Sequence, residues 1–256
     1  MGPTLQEHAP APPRTIVHLF GGPYVTVDGE RRRVPEGSKR LLAFVALRRG
    51  RVERLLAAGS LWPFVDDDRA SGNLRSALWR LRRADIDVMV TDRWSLSLHP
   101  HVETDVALLT AWANRVVRST PAADDLMLDR LPADALDLLP GWYDDWAIIE
   151  REQMRQRLLH AIEALSRHLM SEARYADAVD IALTAVAAEP LRESAQRALL
   201  EAQLAQGNWV EARRTYSNFA SLTRSELGLE PSRQLAALVA SGPPAAPQGV
   251  RSPRQA

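Results

Sequence analysis

The sequence predicts a mainly α protein in two parts, a small α+β region in front and an all-α region built on helical repeats behind it. Three observations carry this expectation. Short β-type runs occur near residues 16–33 and 88–98, helical periodicity fills the chain between and after them, and small and apolar residues recur at a spacing of 34 beyond residue 160. With 46% hydrophobic residues over 256 positions, each part can bury a core.

The front part reads as follows. IVHLF at 16–20 and YVTV at 24–27 are strand-like, Asp28-Gly29 supplies a hairpin turn, and RRRV returns. From Ser38 the pattern becomes helical through Leu41, Leu42, Val45 and Ala46. Val52, Leu55, Leu56 and Leu61 suggest a second helix that stops at Trp62-Pro63. A polar loop, PFVDDDRASG, precedes a third helix at 72–84, and VMV at 88–90 with SLSL at 95–98 makes a terminal hairpin around Thr91-Asp92-Arg93-Trp94. Sheet, three helices and hairpin in that order are the elements of a winged helix-turn-helix.

Behind it the pattern is helical at 105–118, 121–137 and 142–172, with Trp142, Trp146, Ile149, Leu158, Ile162, Leu165 and Leu169 as the apolar series of the last. Ala161, Ala164, Leu165 and Met170 then align with Ala195, Ala198, Leu199 and Leu204, while Ala173, Tyr175, Asp177 and Ala178 align with Gly207, Trp209, Glu211 and Ala212. Helix pairs at that period have the tetratricopeptide signature, so Tyr175 and Trp209 are expected inside the packing. Residues 1–13 and 241–256, rich in Pro and Ala, are expected to be disordered, which leaves 14–104 as the winged helix and 105–240 as the helical domain.

Charge separates the same two parts. Residues 14–104 carry 16 basic and 11 acidic side chains, net +5, while residues 105–256 carry 16 and 20, net −4, the asymmetry of a chain in which one domain meets phosphate. The chain has no cysteine, hence no disulfide framework or thiolate site, and no apolar run long enough for a signal peptide or a membrane span, so a cytoplasmic, nucleoid-associated protein without a membrane partner is expected. No phosphate loop, dinucleotide fingerprint or nucleophile elbow occurs, and the reading is of a non-enzyme without a cofactor. His99, His101 and Glu103 share one side of an extended segment but have no further ligand nearby, so no metal site is assigned.

The third helix is the most informative segment. Leu74, Ala77, Leu78 and Leu81 fall on one side; Ser76, Trp79, Arg80 and Arg83 fall opposite, flanked by Asn73, Arg75 and Arg82. Solvated helices usually mix Glu with Arg for i,i+4 pairing, and the absence of acids from 75 to 83 points instead to a helix for the major groove. Arg93 at the hairpin tip suits the neighbouring backbone or minor groove. Arg31, Arg32 and Arg33 fit either a phosphate contact or a charged strand edge. Phe64 and the acids Asp66, Asp67 and Asp68 combine an apolar side chain with negative charge, which suits a basic protein surface better than DNA.

LFGGPYVTVDGERRRVP with KRLLAFVALRRG, then LWP and LRSALWRLRR, then LLPGWYDDWAIIEREQMRQRLLHAIEAL and finally EPLRESAQRALLEAQLAQGNWVEARRTYSNF with ELGLEPS resemble, in order, the Streptomyces antibiotic regulatory protein family. The resemblance spans about residues 16–240. It implies an OmpR-type winged helix on promoter DNA at direct repeats, followed by a bacterial transcriptional activator domain. It also implies activation of secondary-metabolite gene clusters by recruiting RNA polymerase; within the holoenzyme the loop with Phe64 and the three acids suits a basic surface such as that of a sigma factor, and a homodimer on DNA is left open. The alternative is a regulatory adaptor whose repeats bind protein or a small ligand without DNA.

Overall fold

A computed structural model of the chain describes residues 14–48, 50–118, 121–127 and 136–240. The described residues divide into two compact units, those within 1–112 and 131–158 and those within 113–130 and 159–256, so that the chain leaves the first unit and returns to it, where the sequence suggests a single boundary near residue 104. The expectations for residues 1–13 and 241–256 lie outside the described residues.

In the first unit β1 (Thr15–His18), β2 (Tyr24–Val27) and β3 (Glu30–Arg32) form an antiparallel meander, and β7 (Val102–Thr104) joins β1 in parallel, giving the order β3-β2-β1-β7. Asp28 and Gly29 both take positive φ, as the two-residue turn between Val27 and its partner Glu30 requires. Val17, Leu19 and Val25 are fully buried. α1 (Glu36–Leu47) follows, and its Leu41 to Val45 are buried as well. Ser38 Oγ donates to the Ala77 carbonyl at 2.8 Å, tying α1 to α3 (Asp67–Arg83).

Two helix starts differ from the sequence reading. Val52 belongs to β4 (Val52–Glu53), drawn into a three-stranded sheet with β6 (Ser95–Leu98) and β5 (Met89–Thr91) in the order β4-β6-β5. The second helix, α2 (Arg54–Leu61), therefore begins later and turns Ala57, Ala58 and Leu61 inward, leaving Leu55 71% and Leu56 50% exposed. α3 starts at Asp67, not 72, because Asp66 Oδ1 accepts the Arg69 N–H at 2.8 Å and caps it, and Asp67 and Asp68 occupy the first turn, where the helix dipole favours anions.

Downstream come α4 (Asp105–Val117) and a 3-10 turn at Ala123–Leu126. That turn is all the structure shows of the helix expected at 121–137; residues 128–135 lie outside the described residues. Within the second unit Arg115 grips buried Asp125 with two bonds of 2.7 and 2.8 Å, which favours a compact turn over a helix there. α5 (Asp145–Ser171) begins after Trp142, because Leu139 and Gly141 both have positive φ and Leu138 bridges Phe20. Ile149 is exposed, but the Trp146 ring meets that of Phe44 in a T-shaped pair, 5.2 Å between ring centres.

The repeat is visible in the helix ends. α5 and α7 (Glu193–Ala205) end at residues 171 and 205, and α6 (Tyr175–Ala188) and α8 (Trp209–Leu227) begin at 175 and 209, each 34 apart. The aligned pairs Ala161/Ala195, Leu165/Leu199 and Ala178/Ala212 are all buried. Tyr175 and Trp209 are only half-buried, a correction to the internal packing expected of them: each is the first residue of its helix. α9 (Arg233–Ala240) closes the second unit by bringing Leu235 onto Leu200, Ala212 and Phe219. Among the described residues no strand follows Thr104 and no helix is long and apolar enough to cross a membrane.

Candidate nucleic-acid interface

α3 has the two faces its sequence implies. Leu74, Ala77, Leu78 and Leu81 are buried; Arg75, Ser76, Trp79, Arg80, Arg82 and Arg83 are exposed, and Asn73 is half-exposed. The Arg83 guanidinium lies 5.1 Å from the centre of the Trp79 ring, which is 56% exposed. Arg80 does not project freely. Its guanidinium crosses the first turn of α1, where a Cβ on Gly37 would stand 2.8 Å from Nη1, so glycine permits that close approach.

The hairpin between β5 and β6 is built on one carboxylate. Asp92 accepts the Trp94 and Ser95 N–H groups, both at 2.7 Å, and the Ser95 hydroxyl at 3.0 Å, and it pairs with Arg51. These hydrogen bonds, chiefly the backbone ones, hold its pKa down at about 2. Arg93 is exposed at the tip, its guanidinium carbon 4.8 Å from the Trp94 ring centre. Arg82 Nη2 donates to Thr91 Oγ1 at 3.0 Å, so the helix and the hairpin are joined at the edge of the cationic face.

Two residues escaped the sequence reading. Trp94 is 71% exposed, and a large aromatic left in water on a tight hairpin is an invitation to contact. Arg51 braces the hairpin from outside it. The signal for Trp94 was present in the sequence, a tryptophan at a turn position; the Arg51–Asp92 pair spans 41 residues and no local pattern announces it.

The expected protein-contact residues sit elsewhere on the first unit. Phe64 is 97% exposed at one side of a groove of about 780 Å³ lined also by Trp62, Val65, Tyr143 and Trp146, with the Arg40–Asp144 ion pair in its wall. Asp66, Asp67 and Asp68 are exposed but belong to the cap and first turn of α3. Arg31 lies over Tyr24 at 3.9 Å on the edge strand β3. The His99 and His101 rings stack at 5.2 Å, and Glu103 pairs with Arg14 at 3.4 Å.

A strand-rich winged-helix region bearing a cationic helix and hairpin, followed by paired helices, defines the architecture. Residues 115–241 match the bacterial transcriptional activator domain family. Among solved structures the chain is similar to Mycobacterium tuberculosis EmbR in complex with a low-affinity phosphopeptide, with 20% identity and a TM-score of 0.66 over 89% of this chain and 64% of that one. The likeness is one of fold, and this chain spans less than two thirds of that chain's length. No curated protein matches the sequence significantly.

Proposed function

We propose that the protein is a transcriptional activator of the Streptomyces antibiotic regulatory type that binds promoter DNA through α3 and the β5–β6 hairpin. The observation that carries this reading is the outward face of α3 from Arg75 to Arg83, where four arginines and a tryptophan are exposed with no acid among them. The match of residues 115–241 to a bacterial transcriptional activator domain supports it. Arg83 and, once lifted from its place over Gly37, Arg80 are the base readers, since a guanidinium can give two parallel bonds to a guanine edge; Arg75 and Arg82 flank them, and Arg93 supplies attraction to the backbone. Trp94 adds stacking on the sugar-phosphate edge. Its promoters lie in a secondary-metabolite cluster at direct repeats, with two copies side by side, and the protein works in the cytoplasm on the nucleoid. Phe64, Asp67 and Asp68 contact RNA polymerase holoenzyme at its sigma factor, the acids meeting basic side chains.

Gel retardation on the promoter beside the protein's own gene tests this. Arg80→Ala or Arg83→Ala should cost about 1–3 kcal/mol and relax preference at one base position, whereas Arg93→Ala should weaken every sequence alike and lower the salt slope by about one. Asp67→Ala with Asp68→Ala should lower transcription and leave retardation intact. Asp66 is left out because it caps α3. Unchanged binding in all three arginine variants would reduce the helix to a solvated face.

A further inference from the structure

We propose that the cleft between α1, β6, β7 and the first turn of α4 binds a small amphipathic monocarboxylate, with its carboxylate on Arg48 and its apolar body along Val45, Leu98, Val102 and Leu108. The cavity measures about 350 Å³, within the range of small-molecule sites, and most of its lining is apolar. Its floor, Val45 and Ala46, is buried, while Leu108 at the rim keeps 39% of its surface in water, so the cleft holds apolar surface that an occupant would cover.

The charges select the ligand. Arg48 closes α1, and its guanidinium carbon sits 4.1 Å above the ring of fully buried Phe44, a platform that fixes its direction. Among the described residues no carboxylate pairs with it. The other charge on the wall, Glu103, is matched by Arg14 at 3.4 Å. The carbonyl end of α1 and the amide end of α4 both border the cleft and oppose each other in sign. One unmatched positive charge beside an apolar slot complements one negative charge on an apolar body. A phosphate dianion would need more donors than Arg48, Ser97 and an already bonded Thr104 offer. The site is independent of DNA binding, so its test needs no DNA.

The experiment is isothermal titration of the full chain with decanoate below its micellar range, with decanol and decyltrimethylammonium as comparators. Decanoate should bind saturably at one site, with both comparators at least about tenfold weaker. Arg48→Gln should weaken decanoate by a similar factor. Ala107→Phe, placed on an exposed position of the rim, should block the cleft without disturbing the core, which keeps the test decisive if the Arg48 variant folds poorly. No saturable heat, equal binding of decanol, or full binding by the Ala107 variant would each overturn the proposal.

Discussion

Ala173 takes φ +57° at the turn between α5 and α6, where Gly207, 34 residues on, takes +85° at the matching turn. An alanine in the left-handed region costs about 1–2 kcal/mol, part of which glycine gives back through the greater freedom of the unfolded chain. Ala173→Gly should therefore stabilise the protein by about 0.5–1 kcal/mol, read as a higher urea midpoint with unchanged slope. A lower midpoint would mean that the turn carries no strain. His18 shows a second effect of single-residue environment. Burial first, and the nearby Arg31 second, lower its pKa below 6.5, so its 3.9 Å approach to Asp105 is no ion pair at neutral pH. Its ring nitrogen lies 3.0 Å from Thr26 Oγ1, stacked on Tyr24, while Asp105 accepts the Leu19 and Phe20 N–H groups. The unfolded chain takes up the proton first. This contribution to stability is thus complete above pH 6.5 and declines as pH falls below it. Urea midpoints at pH 7.5 and 5.5 should differ more for the wild type than for His18→Gln; equal differences would show that His18 titrates freely.

At the scale of elements, what the sequence disclosed depended on how local the cause was. The Asp28-Gly29 hairpin, the β5–β6 hairpin and the two-faced α3 were legible because turn chemistry and periodicity act over a few residues. The 34-residue repeat survived as helix ends in register, since each unit repeats its own small-residue positions. The start of α2 was hidden because Val52 pairs with Leu96, and a strand of two residues leaves no pattern to read. The start of α3 was hidden for a different reason. Three consecutive acids looked like a loop, although the first is the capping residue and the other two suit the helix dipole. In the site the same division holds: the arginines of α3 were readable from their spacing, whereas the brace from Arg51 to Asp92 and the bend of Arg80 over Gly37 arise only when distant segments meet.

For the whole molecule, charge and packing divide the chain in different places. The cationic surface is made by residues 14–104, yet the core beneath it is completed from downstream. The Leu139 N–H donates to the Leu19 carbonyl at 3.1 Å, Asp144 pairs with Arg40, and Trp146 packs against Phe44 in a T-shaped pair. Arg151 holds that returning segment in shape by donating to the carbonyls of Leu138, Leu139 and Trp142. A fragment of residues 14–104 keeps every proposed DNA-contacting side chain but uncovers Phe44, leaves Arg40 without its carboxylate and loses the bonds from Asp105 to Leu19 and Phe20. A fragment of residues 14–158 keeps all of these. The shorter fragment should be less stable by roughly 3–5 kcal/mol, the scale of emptying one large aromatic site, and should bind a hydrophobic dye that the longer one ignores. Retardation of promoter DNA should follow the same order, because a groove-binding helix must be held rigidly on its core to keep its arginines in register with base edges. If residues 14–104 melt cooperatively at the midpoint of the longer fragment, the returning segment only rests on the first unit, and the boundary drawn from charge is also the boundary of folding.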